Sequence, residues 1–294
     1  MSGSGNQWFL EEHALKEMDD RANGSTSPGR PGCTGTDELT TPPNGAEVKE
    51  CGPVHKTIID RIDSSSHLIS MTSVELIIEM GSVLGLDTTS RILDLCCGYG
   101  EMLRLLAEHY GSHGTGVEIS EEFVSAGRKR IERSGLSGRL RLECQDARTW
   151  PASGFDVACL VGEQGVFGGF RNTMTALFER VHARGKVVIG TPYFTHDEAP
   201  QELIDFEGPL ETEKQIFEHV KGNGCIVTFI GRGTRDGWDR YISWSTRRHL
   251  AAYRGESIPE EKQKRYDWMH RWHEVYLNLR MEHEGWAIYV IERV

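Results

Sequence analysis

The stretch Arg91–Gly100, R-I-L-D-L-C-C-G-Y-G, constrains this chain more than any other. Ile92, Leu93 and Leu95 make a short apolar run fit for a buried strand. Gly98 and Gly100 follow at once, and Met102, Leu103, Leu106 and Tyr110 then recur at helical spacing. Strand, glycine turn and helix together bring backbone close to a nucleotide-like ligand, because glycine lacks the Cβ that would block the approach. A plain strand-to-helix turn uses glycine too, so the motif needs support from its surroundings. Asp94 lies inside the apolar strand, where an unpartnered carboxylate is costly, and is therefore expected to have a fixed polar partner.

The surroundings supply that support. Gly114–Ile119 reads as a second strand that ends on Glu118. An acidic residue about 20 positions past the glycine turn can accept hydrogen bonds from ribose hydroxyls. Leu140–Ala147 reads as a third strand closing on Asp146, Phe155–Gly162 as a fourth, and Lys186–Thr191 as a fifth that ends at Pro192. Between them, Phe123, Val124, Gly127 and Ile131 line one helical face, and Met174, Leu177, Phe178 and Val181 another. Upstream, Val74, Leu76, Ile77, Met80 and Leu84 mark a helix stopped by Gly85. Alternating strands and helices predict an α/β fold with a parallel sheet covered on both faces. Further on, Thr212–Val220 reads as a helix, Cys225–Gly231 as a strand, Arg235–Arg254 and Pro259–His283 as two long helices, and Gly285–Val294 as a final strand.

Taken together, D-L-C-C-G-Y-G at 94–100, G-V-E-I-S at 116–120, Q-D-A at 145–147 and F-D-V-A at 155–158 resemble the class I S-adenosylmethionine-dependent methyltransferases. The resemblance implies a Rossmann-like, seven-stranded, mostly parallel sheet with helices on both faces. Its last strand runs antiparallel, and here a helical cap is inserted before that strand. The implied cofactor is S-adenosylmethionine. Gly98 and Gly100 would wrap its methionine end, Glu118 hold its ribose and Asp146 flank its adenine, with Asp94, Cys96, Ile119, Ala147 and Gly162 completing the cofactor site. A nicotinamide-binding loop would want a third glycine at 103, where this chain has Leu103. The later runs G-G-F-R-N-T at 168–173, G-T-P-Y-F at 190–194, A-P-Q-E-L at 199–203, D-G-W-D-R-Y at 236–241 and G-W-A-I-Y-V at 285–290 are similar to the YjhP-like group of bacterial-type methyltransferases. That likeness spans about residues 55–294 and supplies no substrate.

Composition bounds the partners. The net charge of −11 argues against broad binding to nucleic acid or to an anionic membrane. No apolar run reaches the roughly 18 to 20 residues a membrane span requires. The start of the chain has no basic-then-apolar signal pattern. Seven cysteines are scattered without paired metal spacing, which reads as reduced thiols in a cytoplasmic protein that holds no metal. Residues 1–50 read as a disordered tail with a possible short helix over Trp8–Asp19, because Asn23–Glu50 is rich in Gly, Ser, Thr and Pro. The methyltransferase domain is expected over 51–294, with its cofactor-binding core at about 74–191, cap elements at about 192–283 and the final strand at 285–294.

Methyl transfer from a sulfonium is an in-line displacement, in which a protein mainly positions the nucleophile and excludes water. A base is needed only where the nucleophile is protonated. Glu163 and Gln164 are expected at the end of the fourth strand, and Tyr193 and His196 beyond the fifth, on the carboxyl rim where ligands of open α/β sheets bind. The candidate catalytic residues are therefore His196, Tyr193 and Glu163. His196 is suited by an ordinary pKa near 6.5, although a solvated loop histidine fits the pattern as well. Gln164, Tyr193, Trp238 and Tyr241 are the candidate substrate contacts. Trp268 and Trp272, at helical spacing, read as core. The acidic charge and the aromatic cap favour transfer to an O or N nucleophile of a small molecule. A methyltransferase acting on RNA or protein is the alternative, and a protein that binds the cofactor without transferring methyl a third.

Overall fold

The computed structural model describes residues 67–294. The expectations for residues 1–66, including the tail and the start of the domain, lie outside the described residues. Ser73 caps helix α1 (Val74–Leu84) by accepting a hydrogen bond from Leu76 N, and Gly85 ends it. There follow β1 (Arg91–Leu95), α2 (Glu101–Tyr110), β2 (His113–Glu118), α3 (Glu121–Arg133), β3 (Leu140–Cys144), β4 (Phe155–Val161), a 3-10 turn at Gln164–Phe167, α4 (Phe170–Phe178) and β5 (Val181–Phe194). The second half holds α5 (Gln201–Glu207), α6 (Glu213–Gly222), β6 (Cys225–Arg232), α7 (Arg235–Gly255), α8 (Pro259–Val275) and β7 (Glu284–Arg293).

The strands form one seven-stranded sheet in the order β3-β2-β1-β4-β5-β7-β6. All neighbours are parallel except β7, which runs antiparallel to β5 and to β6. The order reverses between β1 and β4, which opens a crevice at their carboxyl ends. Strand alternation divides the core. Ile92, Val157, Cys159, Val188, Ile288 and Val290 face α1, α2 and α3. Leu93, Leu95, Ala158, Leu160, Val187, Ile189 and Tyr289 face α4 and α6. Both faces are covered, so the central strands read as continuous apolar runs. The edge strand β6 is covered on one face and alternates in exposure along its length.

Several elements differ from the sequence expectation: Val181, expected on a helical face, opens β5, the third strand ends at Cys144 instead of Ala147, and α5 was not anticipated. Strand β5 continues past Pro192 to Phe194. Its pairing with β4 stops at Gly190, while its pairing with β7 runs on to Phe194 opposite Glu284. Proline's missing N–H therefore costs no ladder bond there, as at a sheet edge. The expected helix Pro259–His283 is interrupted by a widened π turn at Tyr276–Arg280, which turns Tyr276 and Arg280 inward, and a short last turn, α9 (Met281–His283), leads into β7. Such widened turns concentrate at functional sites.

Candidate active site

The glycine loop is held by β2. Gly98 N donates to Glu118 Oε2 at 3.0 Å, Ser120 N donates to Glu118 Oε1 at 2.9 Å, and Cys97 N donates to Val117 O at 3.1 Å. Glu118 thus fixes the loop and the start of α3 at once. Gly98 has φ of 55°, and a Cβ there would stand 2.9 Å from Ile69 Cδ1. Cys96 has φ of 58° and is the one non-glycine residue with positive φ among the described residues. A side chain in that conformation is strained, and such strain gathers at binding sites.

These elements enclose a cavity of about 280 Å³ at the carboxyl ends of β1, β2 and β4. Asp94, Cys96, Gly98, Glu118, Ile119, Asp146, Ala147 and Gly162, from the sequence-predicted cofactor set, all line it. Gly100 stands behind the wall: it caps α2 with φ of 67°, and a Cβ would meet Leu142. Among the described residues, Asp94 does not find the expected fixed partner. It is buried and accepts no hydrogen bond from a described residue; burial first, and then the charge of Glu118, pushes its carboxyl well above the usual range. Asp146 is already engaged, since Arg148 Nη2 lies 2.6 Å from its Oδ2 and holds its carboxyl below the usual range.

A second cavity, of about 480 Å³, lies beside the first under the helices of the second half. Ile69, Ser70, Phe123, Gly162, Glu163 and Gly165 line both cavities, so the two meet at the end of β4. Among the described residues, Glu163 is the only ionisable side chain on that shared lip. Its carboxylate accepts no hydrogen bond from a described residue, and burial, helped by the charge of Glu118, pushes it up to about 7. Tyr241, Trp244, Trp268, Trp272 and Trp286 wall the larger cavity, and burial raises the Tyr241 hydroxyl far above its ordinary value.

The sequence-predicted catalytic set is not brought together. Glu163 is on the lip, but His196 lies on an exposed loop with Nδ1 2.9 Å from Thr195 Oγ1, and it lines neither cavity. Tyr193 is buried on the opposite face of β5 from the cavity-lining Pro192, with its hydroxyl accepting from Arg232 Nη1 at 2.6 Å. Of the expected substrate contacts, Tyr241 lines the larger cavity, whereas Trp238 is buried against Tyr276 at a ring separation of 6.1 Å. The side chain of Gln164 lies outside the described part of the structure.

Trp272 belongs to the hydrophobic core and Trp268 packs against it, as the sequence reading had them, but both also line the larger cavity, which that reading missed. Arg280 and Glu284 were missed as well. Arg280 is buried between Glu207 and Glu284, with its Nε 3.0 Å from Glu284 Oε2 and its guanidinium 4.6 Å from the Trp272 ring centre. Glu284 and Trp286 reach the cavity from one face of β7, whose antiparallel run brings its first residues to the carboxyl rim. Among the described residues there is no group of three or more His, Cys, Asp or Glu side chains able to hold a metal ion, and no helix is long and apolar enough to cross a membrane.

Residues 92–184 match the family model described as a methyltransferase domain, so this part of the chain carries that domain, on a fold class that includes S-adenosylmethionine-dependent methyltransferases. Within it, the chain is a homologue of the uncharacterized protein YjhP of Escherichia coli (strain K12), 29% identical over 72% of this chain and 88% of YjhP. The X-ray structure of YjhP superposes with a TM-score of 0.71 at 25% identity, covering 81% of this chain and 99% of that one. A methyltransferase from Thiobacillus denitrificans, crystallised in complex with S-adenosyl-L-homocysteine, also superposes with a TM-score of 0.71, at 22% identity over 81% of this chain and 98% of that one.

Proposed function

We propose that the protein transfers a methyl group from S-adenosylmethionine to an O or N nucleophile of a small molecule held in the larger cavity. The observation that carries this reading is the shared lip at Gly162, Glu163 and Gly165, where the cavity on the glycine loop opens into the aromatic one. The residues of the smaller cavity fit the cofactor. Asp94 is a buried carboxylate with no partner among the described residues, suited to an ammonium group such as that of the methionine moiety. Glu118, on the same wall, offers acceptor lone pairs to ribose hydroxyls. Ile119 is 49% exposed and presents an apolar surface for a base. S-adenosylmethionine supplies, when bound, a methyl group on a positively charged sulfur.

Glu163 is the base in this reading. A carboxyl held near 7 is half ionised at neutral pH, close to the value that suits proton removal there. Tyr241, Trp244, Trp268 and Trp272 exclude water from the reacting groups. A concave, aromatic-walled site of this volume supports a small molecule over RNA or a protein chain. The test is incubation with radiolabelled S-adenosylmethionine and separate metabolite, RNA and protein fractions. Label is expected in the metabolite fraction; label in RNA or protein would overturn the small-molecule assignment, and no label in any fraction would overturn the transferase assignment.

A further inference from the structure

The charges around the larger cavity do not cancel. Arg280 is matched by Glu207 and Glu284, and Arg248, which also lines the cavity, is matched by Glu122 at 3.2 Å and lies over the Phe123 ring. His249 packs on Trp268 at a ring separation of 3.9 Å, and burial pulls it down to about 4, so it is neutral at physiological pH. Once each guanidinium is paired with one carboxylate, Glu163 and one member of the Glu207–Glu284 pair have no countercharge. Both oxygens of Glu284 are buried and accept no hydrogen bond from a described residue, since Arg280 Nε, an ion-pair partner 3.0 Å from Oε2, is poorly aligned for one. Carboxylates are rarely left so in a protein interior. The surrounding indole and phenol rings add negative π faces and keep water out, which strengthens each remaining charge.

We infer that the substrate of this site is a cation, an amine carried as its ammonium form, received between the aromatic walls and the Glu163 and Glu284 carboxylates. The inference rests on the methyl-transfer reading and narrows its nucleophile to nitrogen. The ammonium gives one proton to the Glu163 carboxylate. The freed nitrogen pair then forms the N–C bond as the S–C bond breaks with its electron pair left on sulfur, and the product is the methylated ammonium. The site carries more negative charge than its own cations balance, and it responds by holding protons. Burial, with Glu118 beside it, raises Glu163, while burial and Glu207, opposed by Arg280, bring Glu284 up to about 8. Tyr241 faces both and stays protonated. A cation should therefore bind with release of protons, more tightly as pH rises through 7 and 8.

Choline and its uncharged isostere 3,3-dimethylbutan-1-ol separate charge from shape. Calorimetry with each, on the full chain saturated with S-adenosylhomocysteine, is expected to show choline binding at least about tenfold tighter. Its affinity should rise at least about threefold from pH 6 to pH 8.5. Glu284→Gln should weaken choline and flatten that pH dependence while S-adenosylhomocysteine binding reports an intact fold; Glu163→Gln provides the second variant should Glu284→Gln fail to fold. Equal affinity for the two probes, or no binding of choline by protein that binds S-adenosylhomocysteine, would overturn the cation inference and leave the methyltransferase reading standing. Protein that folds but binds no S-adenosylhomocysteine would overturn that reading and the inference with it.

Discussion

The two cavities are built from different kinds of chain. The smaller one is assembled mainly from consecutive strand ends: Asp94 and Cys96 to Gly98 at the end of β1, Glu118 and Ile119 at the end of β2, Asp146 and Ala147 after β3, and Gly162 after β4. The larger one gathers Ile69 to Met71, Gly162 to Gly169, Phe206 to Leu210, one side of α7, part of α8, Arg280, and Glu284 with Trp286. The first is local geometry repeated along a parallel sheet. The second is packing between segments distant in sequence, among them Glu284 and Trp286, which the antiparallel run of β7 returns to the rim. A binding site made the first way tolerates a changing partner beside it; one made the second way can change its ligand without altering the sheet.

The sharpest way to break this division is Glu163→Gln. Turnover should fall by about 10²–10⁴-fold, the usual worth of a general base, while S-adenosylhomocysteine affinity stays within about twofold. In the unmodified protein, a base held at about 7 is inactive when protonated, so turnover should rise with pH through about 7. Loss of that rise in the variant would confirm the assignment, and an unchanged profile would remove Glu163 from the chemistry. Next in size is Trp238→Ala. Trp238 is buried on Tyr276, outside both cavities, so the change should cost about 3–5 kcal/mol of stability. Thermal melting and kinetics on the folded fraction should show a lowered Tm with KM unchanged; a raised KM at unchanged Tm would return Trp238 to the substrate wall.

On the cofactor side, Glu118→Ala removes acceptors for Gly98 N and Ser120 N together with any ribose contact. Calorimetry should show cofactor binding weakened by about 2–3 kcal/mol. Undiminished affinity would mean that the glycine loop stands without its tie to β2. The smallest effect is expected of His196→Ala, because that ring is exposed and bonded to its neighbour Thr195. Initial rates should change by less than about twofold, and a large loss would show that the loop folds over the site during turnover.

The same division explains what could be read from the sequence. Cofactor-side residues were legible because a strand end and a glycine turn fix their neighbours' positions within a few residues. Asp94 was misjudged in one respect: among the described residues it has no polar partner, and it lines the smaller cavity, where the proposed function gives it an ammonium group to bind. Tyr193 was misplaced by one step of the pleat, since β5 runs on through Pro192 and puts adjacent residues on opposite faces. Trp238, Tyr241 and Ser245 share a stripe of α7, but Trp238 lies lower on the helix, beneath Tyr276. Trp268 and Trp272 repeat at the helical period, and that period is the same whether a stripe meets a packed core or a cavity. Arg280 gave no periodic signal, because the π turn that buries it is a product of tertiary packing.

The central claim is that cofactor and substrate occupy adjoining cavities and meet at the lip formed by Gly162, Glu163 and Gly165. A crystal structure of the protein with S-adenosylhomocysteine tests it most directly. The account predicts the ribose on Glu118, the ammonium group at Asp94 and the sulfur directed past Glu163 toward Tyr241. A ligand lodged in the larger cavity, or a sulfur directed away from that lip, would contradict it.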